Sequence, residues 1–219
     1  MTFISTYWQL IFKGLQTTTA AWLWAGSTSL LVGCILGILS CNHLALRKTR
    51  FIIGFYTFIV KGIPAYVHIL IAYFVVPSVL PLSLSGFSAA TSALAFCSAG
   101  YVTEIVRSGI NAIPTGQWQA AEVLGYSTWQ TIYYIIAPQA FYVLISPLMG
   151  ELEQLLKSTS LLGTIGVMEL TRAGVNIISR ELNPLPVYLL IACIYLVFSA
   201  LLSFVLFCIE RSLTRRGYC

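Results

Sequence analysis

Two carboxylates, Glu151 and Glu153, stand at the end of a long apolar run and are the residues of this sequence best placed for chemistry. A carboxylate in apolar surroundings is costly unless it has a partner or a task, and the natural task is to meet a positively charged group. Lys157 lies four residues after Glu153, the favourable order for an ion pair on one helix face, so mutual neutralisation alone accounts for Glu153. Glu151 sits about 200° around a helix from Glu153, at 3.6 residues per turn, and has no such partner in the sequence. It is the better candidate to line a pathway; the other reading is a carboxylate that caps N–H groups at a neighbouring helix break. His68, one turn after Pro64, is either a packing residue or a ligand contact. Ser98, Gly100 and Tyr101 bring small and polar groups to another segment, suited to helix–helix contact in lipid or to a ligand.

No catalytic set accompanies these residues. The chain has no Asp and only two histidines, His43 and His68, far apart. It lacks the zinc-protease, nucleophile-elbow and phosphate-loop motifs, so ATP hydrolysis in this chain is not expected. Its six cysteines are scattered without CxxC spacing, which argues against a zinc site or a disulfide framework.

The elements that must position the acids are membrane helices. The chain has 219 residues, 58% hydrophobic and 9% charged, against roughly 25% charged in a soluble domain. Windows free of Lys, Arg, Asp and Glu run over 14–46, 62–103, 123–150 and 182–209. About 20 apolar residues cross ~30 Å of hydrocarbon. The second window feeds two crossings, because Pro77, Pro81 and Gly86 break it. The expected fold is one all-α integral membrane domain with about five transmembrane helices, near 18–41, 51–76, 88–109, 128–156 and 185–209. Phe3–Phe12 reads as an interfacial lead-in with Trp8 at the headgroups. Lys61-Gly62-Ile63-Pro64 should interrupt the second helix, since Pro64 lacks an N–H and biases Ile63 away from helical dihedrals. That interruption is either a break lining a cavity or a plain proline kink. Pro138 should kink the fourth helix, and 168–180 is suited to an interfacial helix.

Arg47, Lys48, Arg50, Arg107, Arg211, Arg215 and Arg216 fall on one side of this topology. The positive-inside rule then puts the N-terminus outside and the tail in the cytoplasm. The net charge of +5 needs no nucleic acid, because arginines beside anionic membrane lipid account for most of it. Glu104 and Arg107, three apart, can pair on one face.

Between the third and fourth helices lies a polar island, Gly116-Gln117-Trp118-Gln119-Ala120-Ala121-Glu122-Val123-Leu124-Gly125. Ala120 and Ala121 leave one side of a short helix nearly bare, open to close approach by another protein. Gly125 can take the left-handed conformation that ends such a helix. Ser127 and Gln130 have capping-box spacing for the helix that follows.

Four stretches resemble the permease subunits of ATP-binding-cassette importers for polar amino acids, the histidine/glutamine permease type. Tyr56 to Pro64, ending Lys61-Gly62-Ile63-Pro64, resembles a stretch ending R-G-T-P. Ser98-Ala99-Gly100-Tyr101 with Glu104-Ile105-Val106-Arg107 resembles S-A-A-Y followed by E-I-V-R. Gly116-Gln117-Trp118-Gln119-Ala120-Ala121, with Leu124-Gly125 and Pro138-Gln139-Ala140, resembles G-Q-x-E-A-A…L-G…P-Q-A. Leu155-Leu156-Lys157-Ser158-Thr159-Ser160-Leu161 resembles L-L-K-x-T-S-L. The resemblance covers about Gly14 to Glu169.

The resemblance implies a bacterial inner-membrane subunit working by alternating access. Its partners would be a second permease chain, identical or different, ABC ATPase subunits that hold ATP and magnesium, and an extracytoplasmic binding protein. This chain would carry no cofactor of its own. The island becomes a cytoplasmic coupling helix seated on the ATPase through Gly116, Gln119, Ala120, Ala121, Glu122 and Gly125. Glu151, Glu153, His68, Ser98 and Tyr101 become candidate substrate contacts. Three departures stand out: Gln119 replaces the usual glutamate, with Glu122 able to substitute for its charge; Lys61 replaces an arginine; and Glu153 occupies a normally apolar or small position, which would suit a cationic amino acid. Other readings are a permease for a different small nutrient, and a membrane scaffold or sensor that docks an ATPase and moves nothing.

Overall fold

The computed structural model describes residues 3–44, 46–80 and 83–214, and no β-strand occurs among them. Pro81, the tail arginines Arg215 and Arg216, and Cys219 lie outside the described residues. The helices, numbered here in chain order, are α1 (Phe3–Leu39), α2 (Arg47–Gly62), α3 (Ala65–Val79), α4 (Gly86–Asn111), α5 (Thr115–Val123), α6 (Thr128–Ile165), α7 (Leu170–Glu181) and α8 (Pro184–Thr214). By length and composition α1, α4, α6 and α8 can each cross a membrane, and the bent pair α2–α3 passes the same test when taken together as one span.

The helix α4 is the hub. Most of its residues are buried, whereas α8 buries almost none of its own. Its packing against α1 rests on two glycines four residues apart. A Cβ at Gly33 or Gly37 would come within 2.5 or 2.6 Å of Val102 or Val106 Cβ, so the two backbones are in direct contact at these points. That is the usual solution in lipid, where close van der Waals packing replaces hydrophobic driving force.

Expected and observed elements differ in three instructive places. The helix α1 begins fifteen residues before its expected start, and Phe3–Phe12 is part of it rather than a separate lead-in. Nothing between Phe12 and Thr18 breaks a helix, and Ile11 is buried with Leu170, Ile177, Val187 and Ile191 of α7 and α8. The second span is two helices bent by 102° at Ile63–Pro64, well beyond a kink, with Ile63 extended at φ −112° and ψ 130°. Ahead of Pro77 and Pro138 the chain forms π turns, Ile71–Val75 and Ile132–Ile136. A proline within a helix removes one N–H and crowds the preceding turn, and the wider turn accommodates it.

At one end of the bundle α7 packs on α1 and α8, capped by Glu169, which has no exposed surface. Its carboxylate accepts from the backbone N–H of Thr171 at 2.7 Å and of Arg172 at 2.6 Å. Thr18 Oγ1 accepts from Leu170 N–H at 3.1 Å. Three of the unpaired donors of a helix start are thereby satisfied. Gly163 makes room, since a Cβ there would lie 2.6 Å from Glu169 Oε1.

Candidate functional site

The break at Ile63–Pro64 brings the start of α3 beside the middle of α4 and the far part of α6. Together they enclose a cavity of about 240 Å³, lined by Ala65, Cys97, Ser98, Tyr101, Glu151 and Gln154, with Ser158 one turn further on. Glu151 Oε1 accepts from Ser98 Oγ at 2.8 Å. Its partner is thus a side-chain hydroxyl on α4, not the N–H groups of a helix break. Ser98 is 2% exposed, so α4 fixes this donor firmly. On the other side, Trp22 Nε1 of α1 donates to the Leu152 carbonyl at 2.8 Å, and the buried Leu155 and Leu156 hold α6 in register. A carboxylate with one hydroxyl donor keeps acceptor capacity for a cation or an N–H group.

Of the residues singled out in the sequence, Glu151, Ser98 and Tyr101 share this cavity, while Glu153 and His68 do not line it. Glu153 turns to the α8 side, pairs with Lys157 at 2.9 Å and lines a separate recess of about 180 Å³ with Ser203 and Leu206. His68 is buried: Nδ1 lies 3.2 Å from the Pro64 carbonyl oxygen, Nε2 has no hydrogen-bond partner, and the ring sits 5.9 Å from that of Phe96. Sequence reasoning missed Gln154 and Ser158. Their signal was present, since positions three and seven after Glu151 return to the same helix face.

Glu104 is the centre of a second polar cluster. Arg107 Nη2 is 2.8 Å away, Lys61 Nζ is 3.7 Å away, and Thr57 Oγ1 donates at 3.1 Å. The expected Glu104–Arg107 pair is present, and Lys61, on the last turn before the break, joins it.

The polar island forms α5 and ends in a Schellman motif. Tyr126 N–H donates to the Ala121 carbonyl at 3.1 Å, Gly125 N–H donates to that of Glu122 at 3.0 Å, and Gly125 has φ +79°. Ser127 and Gln130 then complete a capping box at the start of α6. Trp118 anchors α5 inward, its ring stacked on His43 at 3.9 Å and 10°. The expected bare alanine face needs a correction: Ala121 has no exposed surface, because the helix turns it onto the same inner face as Trp118. Gly116, Gln119, Ala120, Glu122 and Gly125 are exposed, and the face continues into Val123 and Leu124, 87% and 72% exposed. The α1–α2 turn lies at this same end, where Asn42 N–H donates to Asn111 Oδ1 at 3.0 Å.

Comparison with known proteins agrees with this architecture. Residues 29–215 match the family model described as binding-protein-dependent transport system inner membrane component. The chain is 32% identical over 213 residues to the glutamine transport system permease protein GlnP of Escherichia coli (strain K12), covering 92% of each chain. It is 34% identical over 203 residues to the arginine transport system permease protein ArtQ of Bacillus subtilis (strain 168), covering 93% of this chain and 92% of that one. The L-cystine transport system permease protein TcyB of the same organism is 32% identical over 213 residues, covering 96% and 89%. Among solved structures, an amino acid ABC transporter with histidines superposes with a TM-score of 0.87 at 29% identity, covering 97% of this chain and 99% of that one. The MetNI methionine ABC transporter in an inward-facing conformation shares the fold, with a TM-score of 0.80 at 19% identity and coverage of 97% and 99%. With its bundle of apolar helices around α4, its broken second span and its match over most of its length, the chain belongs to the family of inner membrane components of binding-protein-dependent transport systems, as an ABC transporter permease subunit.

Proposed function

We propose that this chain is the translocation subunit of an ATP-driven importer for polar amino acids, with cationic side chains met by Glu151. The observation that carries the reading is a carboxylate, held by one serine, facing a cavity beside a broken membrane helix. Backbone irregularity at membrane depth is tolerated where it lines such a cavity, and an ionisable group there serves a substrate path. Relatives named for glutamine, arginine and cystine transport support an amino acid as cargo. A sealed scaffold or sensor has no use for this cavity. Ser98 and Tyr101 flank the cargo, Gln154 and Ser158 add polar contacts, and His68 and Glu153 are left outside.

In this reading the N-terminus is outside and the tail cytoplasmic. The helix α5 is the coupling helix, presenting Gly116, Gln119, Ala120, Glu122 and Gly125 to an ABC ATPase subunit that binds ATP and magnesium. Gln119 and Glu122 are three residues apart on one face, so Glu122 supplies the charge that Gln119 lacks. A second permease chain completes the membrane unit, and an extracytoplasmic binding protein delivers the cargo.

Uptake by the reconstituted complex tests the site: Glu151→Gln should lower import of arginine by about tenfold, the equivalent of ~1.4 kcal/mol, and that of glutamine less. Equal uptake of both by wild type and variant removes Glu151 from the path. Gly125→Arg tests the coupling helix, since a positive φ and a bulky cation at its end should abolish substrate-stimulated ATPase activity; intact stimulation places docking elsewhere.

A further inference from the structure

We propose that the groove between α1, α2 and α4 holds one anionic phospholipid of the membrane, its acyl chain in an apolar section and its phosphate among Arg50, Lys61 and Arg107. Two recesses lie along these helices, one apolar and one charged. The apolar one, about 430 Å³, is lined chiefly by Trp24, Val32, Leu36, Ala95, Phe96 and Ala99. The charged one, about 340 Å³, holds Ser40, Thr57, Glu104 and the three cations.

Register joins them. On α1 the apolar lining falls at 24, 28, 32 and 36, and the next step of four is Ser40, which lines the charged section. On α4 the apolar lining at 92, 95, 96 and 99 is followed by Glu104 and Arg107. Residues 24 to 36 span about 18 Å at ~1.5 Å per residue, close to one leaflet of a ~30 Å hydrocarbon core.

Charge and polarity select the occupant. Three cations face one carboxylate, so the charged section keeps two positive charges in excess and attracts a phosphate while repelling a cationic amino acid. In the apolar section the tyrosine hydroxyl of Tyr56 is already used, donating to the Phe96 carbonyl at 2.6 Å. A polar solute finds little to bind there, whereas an acyl chain fits. Arg50, in the charged section, follows Arg47 and Lys48 on the first turn of α2. None of this depends on which amino acid the chain carries.

The test uses the purified full chain, delipidated in detergent, with bound lipid counted by native mass spectrometry and thermal stability recorded. Phosphatidylglycerol should bind saturably at one molecule per chain and stabilise the protein; phosphatidylcholine with the same acyl chains should bind more weakly, and inorganic phosphate should do neither. Arg50→Gln and Lys61→Gln should each weaken phosphatidylglycerol binding about fivefold, the effect of one basic group near a membrane surface. Ser92→Trp, which fills the apolar section, should weaken it without altering charge, and Arg47→Gln, outside the groove, should leave it unchanged. Should Lys61→Gln fail to fold, Arg50→Gln and Ser92→Trp decide. Equal binding of the two lipids, or an Arg47→Gln effect as large as that of Arg50→Gln, overturns the site in favour of general attraction at the interface. Binding of inorganic phosphate at the same affinity overturns the lipid as occupant.

Discussion

Glu169 and Glu151 are both carboxylates enclosed by apolar helices, yet the structure treats them in opposite ways. Glu169 is wholly buried and takes two backbone N–H donors at 2.6 and 2.7 Å, with Tyr195 Oη 3.4 Å away. Its surroundings leave no room, since Gly163 is there in place of anything larger. Glu151 takes one hydroxyl and faces open volume. Burial alone therefore does not mark a functional acid. A carboxylate whose acceptor sites are filled from its own chain holds a fold together, and one with acceptor sites to spare beside a cavity is set up for a guest.

The comparison breaks most visibly at Glu169. Replacing it with alanine strips a cap and leaves two part-buried N–H groups without partners, a loss of about 2–4 kcal/mol. Thermal unfolding followed by size exclusion should show the largest drop of any single acid variant, with transport falling only as far as folded protein does. Glu151→Gln should do the reverse: stability changes by less than ~1 kcal/mol, because the amide still accepts from Ser98, while cationic uptake falls. If Glu151→Gln unfolds the protein and Glu169→Ala does not, the two roles are exchanged.

A pH series sharpens the contrast. Burial pushes the Glu169 carboxyl above the ordinary glutamate range, against the opposing pull of its backbone donors. Its native form therefore takes up a proton more readily than the unfolded chain. The resulting contribution is fully present below the unfolded value of about 4.3 and is lost as pH rises through the raised native value. Wild type should gain stability on acidification from neutral pH relative to Glu169→Gln, and parallel pH profiles would show the carboxyl to be unperturbed. The smallest effect belongs to Glu153→Gln. Its exposed pair with Lys157 is worth about 0–1 kcal/mol, so melting temperature and uptake should both stay close to wild type.

Much of this could be read in the chain before any coordinates. The separation of Glu151 from Glu153 follows from helix geometry. The capping box at Ser127, the left-handed Gly125 and the break at Pro64 are local signals that survived folding because each is set by a few neighbouring residues. Features decided by distant partners were not legible. Thr18 meets Leu170 and Tyr195 meets Glu169 only once α1, α7 and α8 have assembled, so nothing near Glu169 announces its burial. Ala121 looked as free as Ala120, because which of them turns inward depends on the Trp118 ring finding His43. The size of the bend at Pro64 was equally hidden: proline dictates an interruption, but the 102° angle is set by what α2 and α3 pack against.

The tethering of α5 has a mechanical consequence. Stacking ties its middle to the α1–α2 turn, its exit is locked by two backbone hydrogen bonds, and a single short turn later the capping box starts α6. Such a helix has little slack of its own. A lateral load on Gln119 would pass into two long rods together, as on a peg shared by two levers.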